Sequence, residues 1–220
     1  MQKALPSNWK IKKLGEVVKN DKFAIVDGPF GTQLHAKDYT EIGIPVIRIT
    51  NITRDNEFDD HNLVFISEQK FKSLTRSAVF PGDILLAKTG ATIGKVAIFD
   101  NYEKALIASS CAKISINPDI ANNKLVLYYL STQKGQTQII GGSSGSTRNS
   151  INLKEIANVK IPLPPLPTQH KIVEILEEAD NLRKLRQQAD EKMKDLIPSL
   201  FVQMFGDPVT NPKGWKVKTL

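Results

Sequence analysis

"IPLPPLPTQHKIVEILEEADNLRKLRQQADEKMKDLIPSLFVQMF", residues 161–205, decides how the rest of the chain is read. Its first seven residues hold four prolines. Proline fixes φ and lacks an N–H, so this segment cannot continue a helix or a central strand. It favours a stiff extended arm and marks a domain boundary. From Thr168 to Phe205 there is no glycine. Apolar residues then fall at Ile172, Ile175, Leu176, Ala179, Leu182, Leu185, Ala189, Met193, Leu196, Leu200 and Met204. Steps of three and four mark one face of a helix. Ile175, Leu182, Ala189 and Leu196 are spaced as in a coiled-coil seam. Thr168 is the expected N-cap, and Pro198 is expected to break or kink the helix. From Thr168 to Ile197 such a helix is roughly 45 Å long. The chain offers no second helix of similar length, so the stripe points to a partner helix from another chain. The competing arrangement folds it back on the preceding domain.

Working outward, the chain ends by repeating its start. Pro6, Trp9, Lys10, Lys12 and Leu14 recur as Pro212, Trp215, Lys216, Lys218 and Leu220 at a constant offset of 206, and Ile11 recurs as Val217. The only two tryptophans both lie inside this match. The repeat implies a unit of one domain plus one helix, with a second copy beginning at residues 206–220.

Composition narrows the function classes. The net charge is +7: residues 1–167 carry +6, residues 168–205 carry −1 and residues 206–220 carry +2. A basic domain joined to a near-neutral helix suggests an anionic partner for the domain. Cys111 is the only cysteine, which excludes an intrachain disulfide and suits a reducing, cytoplasmic setting. With three scattered histidines, no metal site is expected. No apolar run approaches the ~18 residues of a membrane span, and the N-terminus lacks a signal-peptide core.

Residues 1–161 read as mixed α and β. "IPVIRITNI" (44–52) reads as a strand; "DILLA" (83–87) and "IGKVAIF" (93–99) read as a hairpin; "ALIASSCAKISI" (105–116) reads as one further strand. Ser67 should cap a helix over 67–74, and Asn122 one over 122–135 that ends at Gly135. "GGSSGSTRNS" (141–150) has the composition of a loop.

Catalytic motifs are approached but not met. "KTGATIGKV" (88–96) has three residues between its glycines and no Ser or Thr after Lys95, so it lacks the spacing and magnesium ligand of a P-loop. "LPPLP" lacks the flanking residues of an adenine methyltransferase motif. Asp190, Glu191 and Lys192 lie mid-helix, where neighbouring side chains point apart. Asp55, Glu57, Asp59 and Asp60 form an acidic loop that would repel phosphates. The residues read as a binder, with no catalytic set.

Several segments together resemble the specificity subunit of type I restriction–modification systems: "DGPFGTQLHAKDY", "GIPVIRITNI", "PGDILLAKTGATIGKVAIF", "GSTRNSINLKEIANVKIPLPPLPTQHKIVEIL" and "FGDPVTNPKGW", in the family's order. The resemblance implies an α+β fold: a target-recognition domain with a strongly curved β-sheet (1–161), a Pro-rich linker (162–167) and a long helix (168–205) forming an antiparallel coiled-coil spacer. It also implies a non-catalytic role. Such a subunit reads bipartite double-stranded DNA and holds modification subunits, which bind S-adenosylmethionine and methylate adenine; restriction subunits join them. A full-length subunit has two domains and two helices. This chain resembles half of one, natural or truncated, which two copies could restore as a homodimer.

The expected DNA contacts lie on loops and strand edges. Gln33, Arg48, Asn51, Arg148 and Asn149 carry amide or guanidinium groups suited to base edges. Lys37, Arg54, Lys88, Thr89, Thr92 and Lys95 suit phosphates, and His35 suits either. The expected dimer or subunit interface is Ile172, Ile175, Ala179, Leu182, Leu185, Ala189, Met193, Leu196 and Leu200. The charged face with Glu174, Glu177, Glu178, Arg183, Lys184 and Arg186 is available to the methyltransferase. The alternatives are an adaptor or decoy that binds the methyltransferase without reading DNA, and a stand-alone enzyme acting on DNA.

Overall fold

The computed structural model describes residues 6–141, 150–207 and 209–216. The chain divides into two compact units, Met1–Ile172 and Val173–Leu220. The first is mixed α and β, and a helix of 40 residues runs from its end through the second.

Among the described residues the strands form three sheets, where one curved sheet was expected. β1 (Lys10–Lys13) pairs antiparallel with β11 (Lys160–Leu163). A four-stranded antiparallel sheet has the order β2 (Ile25–Asp27), β10 (Cys111–Ile114), β7 (Ile84–Ala87), β8 (Val96–Ile98). A five-stranded sheet has the order β3 (Tyr39–Thr40), β5 (Val64–Ile66), β4 (Ile44–Ile47), β9 (Ala105–Ile107), β6 (Ala78–Val79), with β4 and β9 parallel. All four residues of β7 and of β10 are buried, so both faces of these strands are covered. Lys113 in β10 is buried beside the Asp83 carboxylate at 3.7 Å. One apolar cluster gathers Ile47, Ile52, Leu85, Phe99, Ile107 and Cys111; another gathers Val46, Ile66, Phe71 and Leu106 around α1 (Glu68–Lys72).

Local signals gave the expected result where they concern neighbours in sequence. β7 and β8 form the hairpin, paired from Ile84↔Ile98 to Leu86↔Val96. The Ser67 hydroxyl caps α1 by accepting the Lys70 N–H, and the Asn122 side chain caps α2 (Asn123–Ser131).

Other expectations need correction. The run 44–52 is a strand only to Ile47; Arg48 then leads into a 3-10 turn over Ile49–Asn51. The run 105–116 is two strands in different sheets, because the chain turns at Ala108–Ser110. Gly135 does not end a helix. α2 stops at Ser131, and Gly135 lies inside α3 (Gln133–Gly141), where a Cβ would stand 2.3 Å from the Tyr129 carbonyl oxygen. A tight approach of two helices, not a C-cap, is what this glycine permits.

The prolines also behave differently. α4 (Leu153–Asn158) leads into β11, which includes Pro162 and Leu163; α5 (Leu166–Phe205) then starts two residues before Thr168. The Thr168 and Gln169 N–H groups both donate to the Pro165 carbonyl, at 2.9 and 3.0 Å. Pro167 fits the first turn because its N–H would have no intrahelical acceptor there. Gln169 is buried and fully bonded: its amide nitrogen donates to the Ile120 and Pro164 carbonyls, and its oxygen accepts from the Asn122 N–H. It ties the start of α5 to the cap of α2. Pro198 does not end the helix either, since α5 continues to Phe205. The Ser199 hydroxyl donates to the Asp195 carbonyl beside this missing backbone donor.

Gly206, with φ +85°, closes α5 by donating its N–H to the Val202 carbonyl. Trp215 then donates its indole N–H to the Phe205 carbonyl at 2.7 Å. The repeated motif thus has two local settings: Trp9 enters β1, whereas Trp215 caps α5. Residues 217–220, which complete the second copy, lie outside the described residues.

Candidate nucleic-acid interface

The two larger sheets of the first unit meet where their strands end. β2 ends at Asp27, β7 ends at Ala87, β4 ends at Ile47, and β9 leads out at Ile107. The short turn Ala108–Ser110 connects these ends. Its Ala108 N–H donates to the Ile47 carbonyl at 2.8 Å, and its Ser110 carbonyl accepts the Lys88 N–H at 2.9 Å. Gly28 donates its N–H to the Cys111 carbonyl at 3.3 Å. A Cβ on Gly28 would stand 2.2 Å from the Ala108 carbonyl carbon, so only glycine allows this approach. The Ile151 N–H donates to the Lys88 carbonyl at 3.0 Å, and Thr89 bridges Ser150. Three loops therefore converge: the one after β2, the β7–β8 turn and the segment entering at Ser150.

A buried carboxylate organises this junction. Asp27 accepts from the Arg76 guanidinium at 3.0 Å on one oxygen and from the Lys88 ammonium at 2.9 Å on the other. The Asp27 side chain is 7% exposed, that of Lys88 12% and that of Arg76 47%, so Arg76 is the cation that reaches solvent. The Ser77 hydroxyl donates to the Asp27 carbonyl at 2.8 Å. Burial pushes the Cys111 thiol up to about 12, with Ser110 and Lys88 pulling weakly the other way. It is no nucleophile at neutral pH.

The expected contact residues fall into four groups. Gln33, His35, Lys37 and Arg54 are exposed. Gln33 sits in a turn, its N–H on the Phe30 carbonyl; His35 and Lys37 stand on the turn Ala36–Asp38. Asp38 anchors that turn. Its carboxyl is held below the usual range by the His35 N–H at 2.8 Å and then by Lys70, whose ammonium is 3.1 Å away. Arg48, Asn51, Lys88 and Lys95 are engaged within the fold. Arg48 donates from its guanidinium to the Asn62 carbonyl. Asn51 is buried; its amide donates to the Asp59 and His61 carbonyls, and its oxygen accepts the Arg48 N–H. Lys95 donates to the Ile52 carbonyl at 3.3 Å. Thr89 and Thr92 are half-buried in the hairpin turn. That turn carries Gly90 and Gly94 at positive φ and closes the hairpin of β7 and β8. Arg148 and Asn149 lie outside the described residues.

Sequence reading missed Asp27, Arg76 and Phe30. Asp27 and Arg76 are 49 positions apart, so no spacing rule links them. Phe30 lies in the quoted "DGPFGTQLHAKDY", where its exposure, 58%, was not foreseeable.

The acidic loop carries an exposed ion pair. His61 Nδ1 lies 2.6 Å from an Asp59 carboxylate oxygen, and Asp60 is near. The Asp59 hydrogen bond, and then the charges of Asp59 and Asp60, raise the His61 pKa; the His61 backbone and ring lower that of Asp59. A raised His value means the pair's contribution is full below the ordinary His pKa and fades as pH rises through the raised one. The depressed Asp59 value means it also fades as pH falls through that lowered value. NMR titration of His61 should give a midpoint above about 6.5, and Asp59→Asn should lower it toward that value, with Asp60 keeping part of the rise. A midpoint unchanged by Asp59→Asn would show that the pair does not form.

In the second unit, the helix leaves its apolar stripe uncovered. Ile175 is 65% exposed, Leu182 62%, Leu185 61%, Met193 57%, Leu196 47% and Leu200 44%; Ala179 and Ala189 are also exposed. Ile172, at the end of the first unit, is half-buried. Among the described residues no helix is long and apolar enough to cross a membrane.

Comparison with known proteins bears on this arrangement. The family model described as the type I restriction modification DNA specificity domain matches residues 6–194. The specificity subunit of the type I restriction enzyme EcoBI of Escherichia coli is 28% identical over 210 residues, covering 94% of this chain and 43% of that protein. A chain from a structure on complex assembly and conformational transition of the type I R-M system aligns with a TM-score of 0.68 at 23% identity, over 90% of this chain and 45% of that one. The HsdS subunit of Thermoanaerobacter tengcongensis aligns with a TM-score of 0.60 at 18% identity, over 97% of this chain and 52% of that one. At these identities the structures establish the fold. The chain spans about half the length of the proteins it matches.

Proposed function

Because the chain belongs to the type I restriction modification DNA specificity family, we propose that it is a DNA-reading subunit of such a system, working as a homodimer of half-length subunits. The first unit reads one half of a bipartite double-stranded target. Residues 168–205 form an antiparallel coiled-coil spacer and the platform for modification subunits, which bind S-adenosylmethionine and carry out the methylation. Restriction subunits join the same assembly. This chain supplies no catalytic step. It binds, orients and spaces its partners.

The observation that carries the reading is the pairing of a cationic loop junction with an uncovered apolar helix stripe in a member of this family. Gln33, His35, Lys37, Arg54 and Arg76 are exposed; these, with Arg148 and Asn149, are the DNA contacts proposed. Arg48, Asn51, Lys88 and Lys95 shape the loops that carry these groups. The stripe from Ile175 to Leu200 receives the same stripe of a second copy. Two-fold symmetry then predicts an inverted-repeat target with an unspecified gap. A helix of 40 residues is about 60 Å long, ample to hold two half-sites one or more DNA turns apart.

The test is methylation-site mapping in cells that carry this chain with a type I methyltransferase. A gapped inverted repeat that appears only with the chain present is the expected result. Co-purification without new methylated sites would support the adaptor or decoy reading. A single asymmetric site would remove the homodimer.

A further inference from the structure

Phe30 is a large apolar side chain, 58% exposed, on an ordered support. Asp27 is fixed by Arg76, Lys88 and Ser77, Gly28 is pinned to the Ala108 backbone, and Pro29 is buried. After the ring, the Gln33 N–H closes a turn onto the Phe30 carbonyl at 2.8 Å. The Lys88 ammonium stands 5.9 Å from the ring centroid. A Cβ on the following Gly31 would meet nothing within 4 Å beyond its chain neighbours, so the space at that position is open. Leaving such a ring in water is unfavourable, and the loop holds it out rather than letting it fold onto the core.

We infer that Phe30 is an apolar wedge that presses against the bases of the target half-site and unstacks one base step. The inference rests on the DNA-reading function proposed above. A ring with the Lys88 ammonium near its face, on a junction whose Arg76 reaches solvent, suits a ligand with an anionic exterior and flat apolar faces stacked inside it, which describes duplex DNA. Arg76 and its neighbours attract the phosphates, and the ring meets the bases once the backbone is seated. The ordered base of the loop means the ring is presented without a further ordering cost. A wedge also contributes specificity where no base edge is touched, since steps differ in the energy needed to unstack them.

The test uses the complex of this chain with its methyltransferase partner and the target duplex recovered by methylation mapping. 2-Aminopurine is placed at successive positions of the half-site. The unaltered chain should raise its fluorescence at one step; no rise at any position overturns the wedge. Phe30→Ala should lower affinity about tenfold and abolish that rise, while Phe30→Leu, which keeps apolar volume, should retain part of both. Because the ring is exposed, the melting temperature should stay near that of the parent. Equal affinity and equal fluorescence for Phe30→Ala overturns the inference. Loss of methyltransferase binding with unchanged fluorescence also overturns it and assigns the ring to a protein contact. If the unaltered complex does not distinguish the mapped duplex from a scrambled one, the DNA-reading function itself fails and the wedge with it.

Discussion

Replacing Leu182 and Leu196 together by aspartate is expected to yield a stable monomer. Both side chains are exposed in the single chain, 62% and 47%, so neither holds its own chain together. In the proposed antiparallel pair each is buried against the partner. Burying one leucine contributes about 1.5–3 kcal/mol, and a symmetric dimer contains each position twice. Four lost leucines remove roughly 6–12 kcal/mol before the cost of burying carboxylates is added. At ~1.4 kcal/mol per decade, the dissociation constant rises by at least about 10⁴. Sedimentation equilibrium of parent and variant at micromolar concentration reads this directly. The melting temperature of the first unit should not move. A parent that is already monomeric, or a variant that sediments like the parent, would remove the homodimer and leave the stripe to another protein.

Asp27→Ala is expected to destabilise the first unit by about 3–5 kcal/mol, the cost of leaving a buried charge without its partner. The Lys88 ammonium is the charge concerned, with a side chain only 12% exposed, while Arg76 can turn to water. Urea denaturation gives the free energy, and a second variant identifies its source. Asp27→Ala combined with Lys88→Met removes both charges and should recover much of the loss, because an apolar pair of similar volume often replaces a buried ion pair at little cost. A loss below about 1 kcal/mol in the single variant, or no recovery in the double, would show that the carboxylate does not organise the junction. Weakened DNA binding should accompany the single variant, since the loops bearing Phe30 and Thr89 lose their common anchor.

What could be read from the linear chain follows the range of the forces involved. The hairpin of β7 and β8, the caps at Ser67 and Asn122 and the helix beyond the prolines all depend on residues a few positions apart. Expectations failed where distant packing overrode local preference. The run 105–116 has the composition of one strand, yet β9 and β10 enter different sheets because Gly28, Ile47 and Lys88 meet the turn between them. Gly135 looked like a terminus, yet it answers to Tyr129 and Leu130. Of the expected contact residues, Gln33, His35, Lys37 and Arg54 are exposed, whereas Asn51, chosen for its amide, has that amide bonded to the Asp59 and His61 carbonyls.

The amino-acid order by itself determined the helical stripe, its spacing and the basic domain before it. Periodicity and composition are properties of neighbours along the chain, and they survive without a fold. Only the tertiary structure decided which cations face solvent and which are consumed inside. Asp27 collects Arg76 and Lys88 from 49 and 61 positions away, and a charge's availability depends on what stands within a few ångströms of it.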